Sequence, residues 1–313
     1  MFKGIFYVLV ACFIWGLIFV IPPYIQGFNS MEVALGRYFF FGIISLVILA
    51  RAFRKGSCKY PLGIWKKALS ISLFSSIAYY SCVVFSLRYS TPAICALILG
   101  LSPITITLYG NWKEKEFDFR SLMIPSLMIL IGLIMINVPH MTFSSGISDY
   151  LWGLLAGMVA LIIWTWFAVA NAQFLKKQPQ VSSSDWSTLI GVATFFWVCL
   201  FGTAFFLIAD KASLLERYST WNQELGLFLL GSMILGFVCS WIGGFCWNKA
   251  SRYLPLSMAG QFMIFETLFG LLFFYLLSGK IPPLWECLGI FLLLSAIIYS
   301  VRLLSKSVSL EHS

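Results

Sequence analysis

The chain has 313 residues, of which 60% are hydrophobic and 11% charged, with a mean hydropathy of +0.91. A soluble domain carries roughly 25% charged residues, so this composition excludes a fold built around one aqueous core and points to an integral membrane protein almost throughout. The formal net charge of +9 lies between apolar segments, which reads as cytoplasmic anchoring charge and not as a nucleic-acid surface.

A bilayer core is ~30 Å thick, so a helical span needs ~20 apolar residues rising ~1.5 Å each. Ten segments meet that length, at about 4–24, 31–51, 66–87, 92–111, 119–137, 150–173, 186–208, 226–248, 255–277 and 283–303. In the first, "LVAC" at Leu9–Cys12 faintly resembles a lipoprotein cleavage box. The apolar run continues through Cys12 to Val20, however, and Ile5–Tyr24 is expected to be a retained span. The second contains "EVALGRYFFFG", which sets Arg37 about two turns inside the outer face. Arg37 has two readings: it binds a substrate or protein carboxylate, or it snorkels outward to the headgroups. The third span carries the adjacent Tyr79 and Tyr80. Ser102 and Pro103 interrupt the fourth, because Pro103 removes the hydrogen bond to the Leu99 carbonyl. A freed carbonyl beside a hydroxyl either lines a cavity or marks a plain kink.

In the sixth span Gly153 and Gly157 form a GxxxG pair, which predicts close helix packing. The ninth is "QFMIFETLFGLLFFYLL", with Glu266 in its middle, the one central carboxylate among twelve acidic residues. Either Glu266 is a protonatable coupling or substrate-binding group facing a cavity, or it is a protonated side chain bonded to a neighbouring helix. Trp15, Trp164 and Trp241 lie deep. With Tyr79, Tyr80 and Gln261 they compose either an aromatic cavity wall with a few placed polar groups or ordinary helix packing. Trp65, Trp112, Trp152, Trp186, Trp221 and Trp285 fall near span ends, as an interfacial belt requires.

With the N-terminus inside, sixteen Lys and Arg fall on the cytoplasmic side and four, Arg88, Lys211, Arg217 and Lys280, on the other. The bias predicts an N-in, C-in topology. The chain also repeats itself weakly. An offset of 164 superposes Arg88–Tyr89 on Arg252–Tyr253, sets Ser102 opposite Glu266, and pairs Pro125 with Gly289 and Gly132 with Ala296. An offset of 149 aligns Trp15 with Trp164, and the difference is one insertion in the loop around Lys211–Glu224. Each copy holds five helices, an odd number, so the second enters the membrane inverted. Residues 1–139 and 140–313 are the expected halves, with a substrate site near the midplane between them.

"CFIWGLIFV", "LRYSTPAICALILGLSPITITLYG" and "SRYLPLSMAGQFMIFETLFGLLFFYLL" resemble the repeat landmarks of the drug/metabolite transporter superfamily, in its ten-helix EamA group. The resemblance runs from about residue 5 to 303 on short motifs. It implies an inner-membrane carrier, usually an exporter, of small metabolites such as amino acids. One departure is Thr267, where the family often has Pro after the Glu, so a kink there is expected from Gly260 or Gly270.

Other classes find little support. The eight cysteines include no CxxC, with Cys58 alone in an evidently polar segment, and no metal site or cofactor is called for. His140 and His312 sit in a loop and at the terminus, without GxSxG, HExxH or a glycine-rich phosphate loop, so neither an intramembrane enzyme nor ATP-driven transport is expected. An ion channel needs rings of charge or carbonyls, and one central Glu is thin for that. A nucleotide-sugar or lipid-intermediate carrier is the alternative within the superfamily, but it calls for more cavity cations than Arg37 alone. The expected partners are a small-molecule substrate, the lipid bilayer and a proton as coupling ion, with no nucleic acid; a monomer suffices.

Overall fold

The computed structural model describes residues 2–54, 60–137, 147–208 and 217–311. Lys55, Cys58, Lys59, His140, Lys211 and His312 lie outside the described residues, as does the expected boundary between the halves. Every regular element among the described residues is helical, which is how a backbone satisfies its own polar groups in hydrocarbon. Among the described residues ten spans are long and apolar enough to cross a membrane.

We number them in chain order. α1 is Phe2–Val20, and α2 is Ser30–Arg54. α3 runs through Leu62–Ser72 and Tyr79–Tyr89 and is widened to a π turn between them at Leu73–Ala78. α4 is broken into α4a (Pro92–Gly100) and α4b (Ser102–Glu114). α5 is Phe119–Asn137, α6 Ile147–Lys177 and α7 Ser183–Ile208. α8 comprises Gln223–Ile234 and Gly243–Tyr253, joined by a second π turn at Leu235–Ile242. α9 is broken into α9a (Leu256–Phe262) and α9b (Ile264–Ser278), and α10 is Leu284–Glu311.

Both the third and eighth spans carry a π turn, and both the fourth and ninth carry a break. The α4 break sits at Leu101, two residues before the Pro103 that the sequence marks. The α9 break sits at Met263, between the two glycines expected to cause it. Gly260 has a different task. A Cβ there would lie 2.8 Å from the Thr107 backbone nitrogen, so its missing side chain lets α9a lie flush on α4b. Ser102 stands one residue past its break and Glu266 three past the other, so the breaks are offset by two residues from the alignment that pairs Ser102 with Glu266.

Neighbours exchange roles between the halves. α1 packs on α8 and α9, while α6 packs on α3 and α4; α2 meets α7, α5 meets α10, and α4b meets α9a. Small residues set several of these distances. A Cβ on Gly132 would lie 3.0 Å from the Gly289 carbonyl, and one on Gly289 would lie 2.8 Å from the Gly132 carbonyl. The α5 and α10 backbones therefore touch. Gly153 likewise abuts the backbone of Ser90, and Gly157 abuts Ile98 and Ser86, the close packing that GxxxG predicts. Trp112, Trp152, Trp221 and Trp285 are exposed, but Trp186 is fully buried and stacked on Phe174 at 4.1 Å. It belongs to the interior, not to the belt, because Asn171 accepts its indole N–H at 2.7 Å.

At the end where α4b stops and α9a starts, Lys115 adopts φ 52°, the left-handed conformation that ends a helix. The following loop is clamped by Asn111, whose amide bonds both backbone groups of Phe117 at 2.9 Å. This aims Glu116 at the first turn of α9a. Its Oε1 accepts from Leu256 N at 3.1 Å; its Oε2 accepts from Ser257 N at 3.2 Å and Ser257 Oγ at 2.6 Å. Burial alone raises the Glu116 carboxyl, but the hydrogen bonds and Lys176 win and hold it below its ordinary 4.5.

Two outcomes follow. Gly132→Val and Gly289→Val are each expected to destabilise the protein by ~1–3 kcal/mol, read as a lower thermal midpoint in detergent; Gly63→Val, at an open position, should not. Because the Glu116 pKa is depressed, its contribution is complete above 4.5 and is lost as pH falls through the lowered value. Thermal midpoints measured from about pH 5 down to about pH 3 should drop further for wild type than for Glu116→Gln.

Candidate functional site

The π turn of α8 is where the site is assembled. A π turn inserts one residue and rearranges the backbone ladder, so polar groups can face neighbouring helices. Here the Cys239 carbonyl accepts the Trp15 indole N–H at 2.9 Å. Ser240 Oγ donates to the Leu235 carbonyl at 3.0 Å and accepts from Arg37 Nε at 2.9 Å. α1 and α2 are thus both tied to one turn of α8. Two glycines make the approach possible. A Cβ on Gly243 would lie 2.5 Å from Trp15 Nε1, and one on Gly236 would lie 2.5 Å from the Arg37 carbonyl.

Arg37 therefore turns inward to Ser240, with its guanidinium carbon 5.4 Å from the Tyr38 ring centroid, and does not snorkel. Glu266, on α9b and partly accessible, feels the charge of Arg37 and in turn acts electrostatically on Tyr79, Cys239 and Cys12. Those partners belong to α3, α8 and α1, so the carboxylate looks into the bundle. Among the described residues the ion pairs join Lys176 with Glu114 and Glu116, and Arg217 with Glu32; Arg37 and Glu266 are not in direct contact. Tyr79, which both charges influence, belongs to a cluster of aromatic rings. Trp164 lies 5.0 Å from Tyr79 and 6.2 Å from Trp15, and Trp15 lies 5.8 Å from Trp247.

The structure thus brings Trp15, Arg37, Tyr79, Trp164 and Glu266 together. Ser102 sits half-buried at the α4 break, where its carbonyl accepts from Thr105 at 3.2 Å. Gln261 is 2% exposed, and neither atom of its amide reaches a protein partner. Tyr80 and Trp241 hold partners of their own. Tyr80 donates to the Ser30 carbonyl at 2.9 Å and lines a cavity of about 110 Å³ with Tyr38, Ser76 and Phe201. Trp241 donates to Thr188 of α7 at 3.2 Å.

Sequence reasoning missed three participants. Cys12 and Cys239 read as small apolar residues, yet both lie within the electrostatic reach of Glu266, and Ser240 holds Arg37. For Cys239 and Ser240 the signal was position, since "VCSWIGG" interrupts a bulky apolar run with two small residues and a glycine pair. A second polar network also went unread. Asn171 donates to Asn248 at 2.7 Å and Asn248 to Ser187 at 2.9 Å, all buried, which locks α6, α7 and α8 together.

Residues 2–138 match the model of the EamA-like transporter family. The inner membrane protein YtfF of Escherichia coli K12 is 29% identical over 96% of both chains. The chain thus carries an EamA-like domain over residues 2–138 and is similar over nearly its whole length to an inner membrane protein. YhbE, an uncharacterized inner membrane transporter of the same strain, is 22% identical over 89% of this chain and 82% of its own. YyaM, an uncharacterized transporter of Bacillus subtilis strain 168, is 21% identical over 79% and 77%. A crystal structure 17% identical superposes with a TM-score of 0.75 over 96% of this chain and 98% of its own, a likeness of fold. The chain is accordingly a multi-pass inner-membrane transporter, not an enzyme, that works on a small molecule in a lipid bilayer.

Gly243→Val is expected to expel the Trp15 indole, lower the thermal midpoint by several degrees and shift tryptophan emission. Gly244→Val, where an added Cβ meets nothing within 4 Å, should do neither.

Proposed function

We propose that this protein is a secondary carrier that exports a small amphipathic zwitterion, an amino acid or a compound like it, by alternating access. The carrying observation is one cation and one carboxylate, Arg37 and Glu266, set on different helices and both acting on Tyr79, whose ring packs with Trp164 and through it with Trp15. A guanidinium recognises a carboxylate, a carboxylate recognises an ammonium, and the rings accept an apolar body. A single cation suits one carboxylate better than the diphosphate of a nucleotide sugar.

Two inverted halves, 1–139 and 140–313 in an N-in, C-in arrangement, give this site its alternating access. That reading draws support from helix direction. α1 begins beside Tyr253 and Leu254, whereas α6 ends at Lys176 beside the Glu116 that reaches Leu256. The opening helices of the two halves therefore run oppositely. The same end of the bundle carries Lys113, Lys115, Lys177 and Lys249, a positive charge that favours the cytoplasmic side for it. Glu266 is the coupling residue, since an intramembrane carboxylate within reach of a cation's field is suited to carry a proton.

In proteoliposomes, Glu266→Gln should abolish accumulation driven by a proton gradient while leaving downhill exchange. Arg37→Gln should weaken substrate binding by about tenfold or more, as loss of a charged hydrogen bond implies. A thermal-shift screen of amino acids, polyamines, quaternary ammonium compounds and nucleotide sugars names the substrate. Unaltered proton dependence in Glu266→Gln removes that residue from coupling, and stabilisation by nucleotide sugars alone overturns the zwitterion.

A further inference from the structure

The two broken spans meet at one end of the molecule and part at the other. At the first end Thr107 Oγ1 donates to the Ser257 carbonyl at 2.9 Å, and a Cβ on Gly110 would lie 3.0 Å from Leu256. With Gly260 against Thr107, α4b and α9a leave no room for a solute between them. At the other end the partners diverge. α4a lies on α3, α5 and α6, whereas α9b lies on α1, where Gly270 abuts Phe19 and Gly16 abuts Phe269. Among the described residues α4a and α9b are not principal neighbours of one another.

The starts of α4 and α9 are also capped in opposite ways. The first turn of α4a is served by its own Thr91, whose Oγ1 accepts from Ile94 N at 3.4 Å. α9a begins after Pro255, which offers no side-chain cap. Its first donors are taken instead by Glu116, a residue of the opposite half, through three hydrogen bonds. Lys176 of α6 stands 3.7 Å from Glu116 and 2.6 Å from Glu114, tying a third span into the same cluster. A helix capped from within keeps its cap when it moves, but a helix capped from across a boundary loses it.

We propose that Glu116 is the lock of a gate made by α4b and α9a. While its carboxylate holds Leu256 and Ser257, the carrier is shut at the end rich in Lys and Arg, and its chamber is reached from the opposite end. Parting α9a from α4b breaks those bonds and the Lys176 contact together, and it brings Gln261, buried on α9a without a protein partner, toward the opening. The lock rests on the alternating-access reading above and adds to it the group that decides which side is closed.

Spin-label pairs introduced as unnatural amino acids into the full chain in nanodiscs test this by distance, with no substrate needed. One pair, at Lys113 and Tyr253, spans the locked end; the other, at Ala96 and Phe274, spans the open end, and all four positions are exposed. Wild type should give one dominant distance in each pair. Glu116→Gln and Ser257→Ala should lengthen the first distance and shorten the second, and Glu116→Asp should restore part of the wild-type distribution. Lys176→Met, which leaves the helix cap intact, should move both distances the same way to a smaller extent and serves if the cap variants do not fold. Two interconverting distances in wild type whose proportions none of these variants alters would overturn the lock while alternating access stands. One unchanging distance per pair in wild type and in every variant would overturn both.

Discussion

In hydrocarbon a polar group that leaves its helix must find another protein group or stay unmet. The Trp15 and Arg37 bonds to the α8 π turn are this constraint at work. A straight α8 would use the Cys239 carbonyl in its own ladder and aim Ser240 elsewhere. The widened turn instead lends both to α1 and α2, so the packing of three helices and the direction of a guanidinium have a common origin. Everything that gives the interior its charge asymmetry follows from where Arg37 is held.

Much of this was legible in advance, for identifiable reasons. Span length and the placement of Lys and Arg depend on bilayer thickness and leaflet charge, which act on every helix alike. Ten spans could therefore be counted without knowing any contact. The break before Pro103 was readable because a missing N–H is a covalent fact. The matching break at Met263 was not, since no proline marks it and neither flanking glycine is the break itself. The π turn at Leu73–Ala78 lacks proline and glycine altogether. Such a turn is a compromise between packing faces, and it exists only when the neighbours are present.

Side-chain roles divide in the same way. Glu266 could be singled out because a carboxylate in an apolar run is costly wherever it points. Whether Trp186 would reach the interface or the interior depended on Asn171, fifteen residues earlier and facing it only after α6 and α7 dock. Glu116 offered even less, since an acidic residue in a short basic loop reads as solvated. Its importance comes from the Lys115 turn and the Asn111 clamp, neither of which leaves a periodic trace.

The π turn at Leu235–Ile242 also bears on how such a chain tolerates insertions and deletions. Removing one residue there would let the segment relax into ordinary α-helix, a change the hydrogen-bond ladder absorbs. The remainder, Gly243–Tyr253, would keep its facing, because the wide turn spends one extra residue on the same rotation. Asn248 would stay with Asn171 and Ser187, and Trp247 with Trp15, whereas the Cys239 and Ser240 contacts to α1 and α2 would be lost. The same deletion in the regular helix that follows would instead turn everything after it by about 100°, so a single codon either spares or scrambles the faces of α8 according to where it falls.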